Sequence, residues 1–329
     1  MQLSDSHGNP SLYAEGRNNM LRQTLDRRLS SLTAHPATTH EQLTVIPLCG
    51  PDSDPQITSL ASGLDNDQVE VREVSQAGMV ARLAVKNRSI SPAFILDGEE
   101  LVGGKQARVV NSSILCPPGR EIMIPVSCCE AGRWRRTGKA GFVSRKRSMP
   151  SSLKASKSLR LSQSLRESRG HDADQTSVWR EIDDFSALRG VRSPTRALGD
   201  VFEADRAQIE KIVRSVSVRS DQVGIAAFHG KRLLALEVFS SARLYSEVNA
   251  TLLHSFATDV LMRRNQPVEA PTSYCGTSLL AFASQVIGGE LSEHGSPGLG
   301  TDVRVTGSLG QANALVFDDE LIHLSVFTP

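Results

Sequence analysis

Between Leu43 and Val126, short β-branched and apolar runs recur about every ten residues, divided by glycine, proline and small polar residues. That spacing constrains the chain more than any other feature. Strands so short and so close are joined by tight turns and pair antiparallel with near neighbours in the chain. The runs are Leu43–Leu48, Gln68–Val74, Met79–Val85, Ile90–Leu96, Arg108–Leu115 and Glu121–Val126. Lys86-Asn87-Arg88-Ser89 reads as a hairpin loop, and Pro117-Pro118-Gly119 as a turn. Pro92 and Pro125 suit edges or strand starts. The expectation here is an antiparallel sandwich or barrel.

Further on, the periodicity changes. Val178, Trp179, Ile182 and Phe185 share one face of a helix over Gln175–Leu188, with Asp174 as its N-cap. Residues 203–217 read as another helix. Leu244, Val248, Leu252, Phe256 and Val260 recur every four residues and mark a long amphipathic one. A short helix is expected over 274–287. Val223–Phe228 with Leu233–Phe239, and Asn313–Phe317 with Leu321–Phe327, return to hairpins, with Val303–Val305 as a further strand. The fold class is α+β: an antiparallel β-rich N-terminal half, then helices and further β-hairpins. Residues 225–239 and 313–327 align without gaps, each ending Val-Phe, as a faint internal echo. Residues 1–41 read as a polar N-terminal extension with one short helix. Leu21, Leu25, Leu29 and Leu32 form its apolar face, and Arg22, Asp26 and Arg27 lie outside.

The chain has 329 residues, 39% of them hydrophobic and 22% charged, which excludes global disorder. No apolar run is long enough for a membrane helix. No secretory pattern opens the sequence, so a reducing, cytoplasmic setting is expected. The cysteines (Cys49, Cys116, Cys128, Cys129 and Cys275) lack zinc-finger spacing and read as buried small hydrophobes. Net charge is +1 and selects no partner. From Arg133 to Arg169, however, twelve Lys or Arg face one acid, Glu167. This basic, Ser-rich insert, about 135–170, reads as a solvated, mobile surface segment. A patch for phosphate groups or nucleic acid is the sharper alternative.

Chemistry concentrates in Asp97-Gly98-Glu99-Glu100-Leu101-Val102-Gly103-Gly104-Lys105-Gln106-Ala107-Arg108, followed by Asn111. Its glycines permit close backbone approach to a ligand. Paired carboxylates can divide acid and base roles, and Lys105 and Arg108 suit a phosphate or carboxylate. A charged hairpin tip whose groups solvate each other is the plainer reading. Phosphate-loop, zinc-helix and nucleophile-elbow motifs are absent. His323 reads as a hydrogen-bonded core-edge histidine, and His254 as a surface residue of the long helix.

The run Phe94–Arg108, the stretch Val110–Leu115 and the run Ile124-Pro-Val-Ser-Cys-Cys-Glu-Ala-Gly-Arg-Trp134 resemble the ARG and rhodanese-phosphatase-superfamily-associated protein domain. Later pieces fit as well: Asp174-Gln175 before Val178-Trp179, and His323-Leu-Ser-Val-Phe327. The resemblance covers about residues 42–329 as one domain. It divides into a β-rich part (42–134), the basic insert and an α+β part (171–329). Two departures stand out. Gly104 replaces the usual Ala, and Ala107 replaces the usual Asn, which removes an amide from the site.

The resemblance implies a link to ADP-ribosylglycohydrolases and to NAD or ADP-ribose metabolism. On that basis Glu99, Glu100 and Glu130 are the expected acid–base groups, with Glu99 or Glu100 alternatively a ligand to a divalent metal. Lys105, Gln106, Arg108, Asn111, Arg133 and Trp134 are the expected contacts to a nucleotide-like small molecule. Whether the chain is an enzyme stays open. The rival class is a non-enzymatic module that docks a partner or nucleic acid through residues 133–169.

Overall fold

The computed structural model describes residues 10–53, 56–75, 78–135, 141–264 and 276–329, with side chains of the first helix from residue 15. The helices are α1 (Pro10–Ser30), α2 (Leu60–Asp65), α3 (Ser151–Arg166), α4 (Gln175–Leu188), α5 (Leu198–Ala204), α6 (Arg206–Ser215), α7 (Ala242–Met262) and α8 (Gly276–Ile287). The early strands are β1 (Thr33–Ala34), β2 (Thr38–His40), β3 (Leu43–Cys49), β4 (Thr58–Ser59), β5 (Val69–Glu73), β6 (Arg82–Asn87), β7 (Ala93–Ile95), β8 (Glu99–Gly103), β9 (Arg108–Val110), β10 (Ile114–Cys116), β11 (Glu121–Cys128) and β12 (Phe142–Ser148). The late strands are β13 (Gln222–His229), β14 (Arg232–Phe239), β15 (Glu290–Gly295), β16 (Thr301–Gly307), β17 (Gly310–Phe317) and β18 (Glu320–Phe327). The class is α+β, with a strand-rich N-terminal half, and no described helix is long and apolar enough to cross a membrane.

Three sheets divide these strands. The largest runs β1-β3-β13-β14-β18-β17-β16-β15, with β2 also on β3. A second runs β12-β8-β9-β11-β6-β5, and a third β10-β7-β4. The early strands therefore do not close into one sandwich. Asn87–Ser89 is not a hairpin loop: β6 pairs with β5 and β11, whereas β7 pairs with β10 and β4. Asn87 explains the exit. Its side chain donates to the carbonyls of Ser91 (2.8 Å) and Cys116 (3.3 Å), which steers the chain into the small sheet. That small sheet is the middle layer. By the two-residue period of a strand, Ala93 and Ile95 join the core of the six-stranded sheet, and Phe94 and Leu96 join the core under α7.

The large sheet is apolar on one face and part polar on the other. Leu236, Val238, Leu324, Val326, Val303 and Val305 pack against α1 and α8. The helix expected around Leu21–Leu32 is longer than predicted, and these four leucines lie in this core. Burying each contributes about 1.5–3 kcal/mol. Arg22, expected outside, turns back to donate to the Gly289 carbonyl at 2.9 Å. On the opposite face α3 meets Glu237 through Lys154 and meets Asn313 and Arg304 through Ser158, while His323 and Ser325 bond to Glu237. The basic, Ser-rich insert is partly a core element: Lys154 and Lys157 of α3 are 1% and 0% exposed. Arg136, Lys139 and Cys275 lie outside the described residues.

The internal echo has a geometric basis. The β13–β14 and β17–β18 hairpins lie side by side, with Glu237 opposite Ser325. The ungapped alignment equates those two positions. Both hairpins also shift register at equivalent places, Ala227/Phe228 and Leu315/Val316. With β3 and β16 outside them, the six strands follow a near-twofold arrangement whose axis passes through the Glu237–Ser325 pair.

The helix expected over 203–217 is α6, and residues 203 and 204 end the preceding α5. The two helices break at Asp205, whose carboxylate accepts from Arg189 Nε at 2.8 Å.

Candidate functional site

Glu99 to Arg108 forms a hairpin, β8 against β9, with Glu100 opposite Val109 and Leu101 opposite Arg108. Its turn needs glycine. Gly104 has φ +50°, and a Cβ there would meet the Phe142 ring at 2.4 Å and Glu73 Oε1 at 2.7 Å. The second motif then docks on the first. Gln106 Nε2 donates to the Glu130 carbonyl at 2.9 Å, and the Ala107 N–H to Glu130 Oε2 at 3.0 Å. Arg133 grips the same carboxylate through Nε (2.7 Å) and Nη2 (2.6 Å). Burial pushes the Glu130 carboxyl up, but Arg133 and the Ala107 N–H outweigh it and hold it below the ordinary value. Arg108 is fully buried. It donates to the Val80 carbonyl (3.1 Å) and to Gln106 Oε1 (3.2 Å), and it lies 5.8 Å from the centre of the Trp134 ring. Lys105 Nζ stands 5.2 Å from that ring, which is half-exposed. The two distant runs thus meet in a knot of hydrogen bonds that leaves the buried Arg108 Nη2 without a partner. Asn111 stands apart from it. Its amide donates to the His171 carbonyl (3.0 Å) and accepts from Ser127 (2.8 Å).

Glu99 and Glu100 part company, because neighbours on a strand face opposite sides. Glu99 accepts from the Ser144 hydroxyl. Glu100 faces α5, so that a Cβ on Gly199 would lie 3.3 Å from its Oε1, and its Oε2 has no hydrogen-bond partner. Both are buried, and burial pushes each carboxyl up to about 7. Ser144 opposes the shift at Glu99, and Arg147 and Arg145 oppose it at Glu100.

Arg147 leads to a feature not legible in the sequence. Between Ser144, opposite Leu101, and Ser148, opposite Glu99, β12 carries two residues more than β8. This bulge, with Lys146 at φ +53°, throws residues 145–147 out of the sheet. They line a cavity of about 290 Å³ together with α6 and α7. Arg145, Lys146, Arg147, Arg206 and Arg214 contribute cations to it, against the single acid Glu210. Glu210 binds Arg206 and Arg214, both at 2.8 Å, and Arg147 reaches Glu203 at the rim.

His254 lies at the inner wall of this cavity. The expectation of a surface histidine is overturned, since it is only 9% exposed and packs edge-on against Phe202 at 4.7 Å. Its neighbours one turn away, Ala250, Thr251, Ala257 and Thr258, are small and let α5 approach. Burial, aided by Arg147, lowers its pKa to about 3, so the ring is neutral at physiological pH. Its Nδ1 has no hydrogen-bond partner. None of the acid–base or ligand-contact residues expected from the sequence lines this cavity.

The remaining basic run is engaged elsewhere. Lys154 binds Glu237 at 2.9 Å, and Lys157 binds Asp97 and the carbonyls of Val110 (2.6 Å) and Asn111 (3.0 Å). Arg160 binds Glu181 at 2.6 Å. His323 is the predicted core histidine, bonded to Ser113 and to Glu237, each at 2.8 Å. Among the described residues, one group of metal-ligating side chains gathers, His35, Cys49 and Asp221.

The family model that matches this chain, over residues 31–327, is described as the ARG and Rhodanese-Phosphatase-superfamily-associated Protein domain. No curated protein and no solved structure matches it.

Proposed function

Because the chain belongs to the ARG and Rhodanese-Phosphatase-superfamily-associated Protein domain family, we propose that its basic cavity binds a phosphate-bearing, nucleotide-type small molecule of the ADP-ribose class. The observation that carries this reading is the cavity itself: Arg145, Lys146, Arg147, Arg206 and Arg214 line it with Glu210 as the one lining acid, Asp65 and Glu203 pair with three of these cations from beside it, and a neutral His254 stands at the wall. Planar guanidinium groups take phosphate oxygens in pairs. A neutral imidazole offers a donor or acceptor to a sugar hydroxyl. At about 290 Å³ the cavity holds a diphosphate with part of a ribose, while the base rests outside. Glu100, behind Arg147, supplies a carboxyl that exchanges its proton near neutral pH when the local charge changes.

In this reading the Glu130–Arg133–Arg108 knot holds the hairpin that carries Glu100 and receives the β12 bulge. It acts on the ligand through that framework. Nucleic acid is the less favoured partner, since Lys154 and Lys157 are turned inward, away from any polyanion.

Titration calorimetry with ADP-ribose, NAD and inorganic pyrophosphate tests the proposal. ADP-ribose or NAD binds, and the affinity weakens with added salt. Arg145→Gln and Arg214→Gln each lower it about ten- to a hundredfold, in line with roughly 1.5–3 kcal/mol for a hydrogen bond to a charged group. Unchanged affinity in both variants would remove the ligand from this cavity.

A further inference from the structure

Neighbouring strands carry His35, Cys49 and Asp221 to one corner of the large sheet. Thr33 pairs with Cys49 across β1 and β3, and Gln222 pairs with Cys49 across β13 and β3. The residue just past β1 and the residue just before β13 therefore flank the end of β3. The His35 N–H donates to the Pro47 carbonyl at 2.9 Å, which fixes the backbone from which the imidazole projects. One nitrogen, the sulfur and one carboxylate oxygen lie within 4.8 Å of one another, and Cys49 Sγ is 3.4 Å from Asp221 Oδ1. Ligand atoms bound at about 2.0–2.3 Å to a tetrahedral zinc stand roughly 3.3–3.8 Å apart. One edge of such a tetrahedron is already in place, and side-chain rotation alone closes the others.

We propose that His35, Cys49 and Asp221 bind a zinc-like divalent cation through one imidazole, one thiolate and one carboxylate, with water as the fourth ligand. The donor set chooses the metal class. A thiolate beside an imidazole favours zinc and late first-row ions over magnesium or calcium. The gradient of exposure suits entry from solvent: Cys49 is buried, His35 half-buried and Asp221 exposed. On binding, the Cys49 thiol gives its proton to solvent and the sulfur–metal bond replaces the S–H bond. Arg219 Nε, 3.4 Å from Asp221 Oδ1, sits on a half-exposed side chain and swings away as the metal arrives. The bound ion ties the segment after α1 to β3 and β13, so it stabilises the folded chain.

The experiment titrates the full, chelator-treated chain with zinc, and with cobalt(II) as a spectroscopic probe. Stoichiometric binding is expected, with a thiolate-to-cobalt charge-transfer band and a raised Tm. Cys49→Ser removes the band. His35→Ala and Asp221→Asn each weaken zinc binding about tenfold or more, as lost ligands do, and His40→Ala leaves it unchanged. Circular dichroism checks that each variant folds. Absence of the thiolate band, or zinc affinity in Cys49→Ser and His35→Ala equal to the parent's, overturns the proposal.

Discussion

Glu237 and Glu100 are equally buried, at 0% and 1% exposure, yet their carboxyls are driven in opposite directions. Burial alone would push both up. At Glu237, Lys154 and His323 reverse that effect, Ser325 adds a hydrogen bond, and the carboxyl falls to about 2. At Glu100 the nearest cations, Arg147 and Arg145, belong to the cavity wall. One oxygen stays unpartnered, and the carboxyl rises to about 7. Completeness of pairing separates the two regions. The region around the near-twofold axis satisfies its charges internally and reads as architecture. The region behind the β12 bulge leaves Glu100 Oε2 and His254 Nδ1 buried without partners, beside a hollow lined by cations.

The largest expected effect comes from breaking the complete network. Glu237→Ala leaves Lys154 buried without its partner and destabilises the fold by about 3–5 kcal/mol in urea unfolding at pH 7. Replacing the pair by apolar residues of similar volume, Glu237→Leu with Lys154→Met, restores most of that loss. Equal stability of the single variant and the parent would mean that the network does not hold the sheet and α3 together.

Next comes the pH dependence, where the two glutamates have opposite signs. Glu100 has a folded value above its ordinary 4.5, so between 4.5 and about 7 the folded chain binds more protons than the unfolded one. Stability therefore falls as pH rises through that window. Glu100→Gln removes this term and raises stability at pH 8 by roughly 3 kcal/mol, from about 1.36 kcal/mol per pH unit. Glu99, raised to about 7 as well, retains its own share. For Glu237 the folded value lies below 4.5, so its stabilisation is full above 4.5 and is lost as pH falls towards 2. A Glu100→Gln curve parallel to the parent between pH 5 and 8 would mean that the two glutamates do not differ in this way.

The smallest effect on stability is expected at the cavity rim. Arg214 is exposed and forms one surface pair with Glu210. Arg214→Gln shifts unfolding by less than about 1 kcal/mol while weakening ADP-ribose binding. A loss of stability comparable to that of Glu237→Ala would turn the rim into architecture too.

Much of the fold was legible. The four-residue apolar period of α7, the Asp174 cap of α4, which accepts the Ser177 N–H, and the late hairpins all follow from local pattern. Strand partners in the first half were not, because residues 86–89 look like a turn whichever strand follows. β15 was missed since its edge position leaves Ser292, Glu293 and His294 half-exposed and erases the apolar alternation. In the candidate site, the meeting of Lys105–Arg108 with Glu130–Trp134 was readable from the motifs. The cavity was not: its cations come from a bulge in β12 and from α6, and its inner wall from α7.

By itself, the sequence determined most of the helices and the late hairpins, because capping and periodicity act over a few residues. It also carried the family's two polar runs and the echo between the late hairpins. Only the tertiary structure decided which charges are buried with partners and which are left facing a hollow. Lys154 and Lys157 sit in a run of Lys, Arg and Ser that looks solvated, and only Glu237 on the large sheet and Asp97 with the carbonyls of Val110 and Asn111 make their burial tolerable. A charge is stabilised by whatever surrounds it in three dimensions, and neighbours in the chain say little about that.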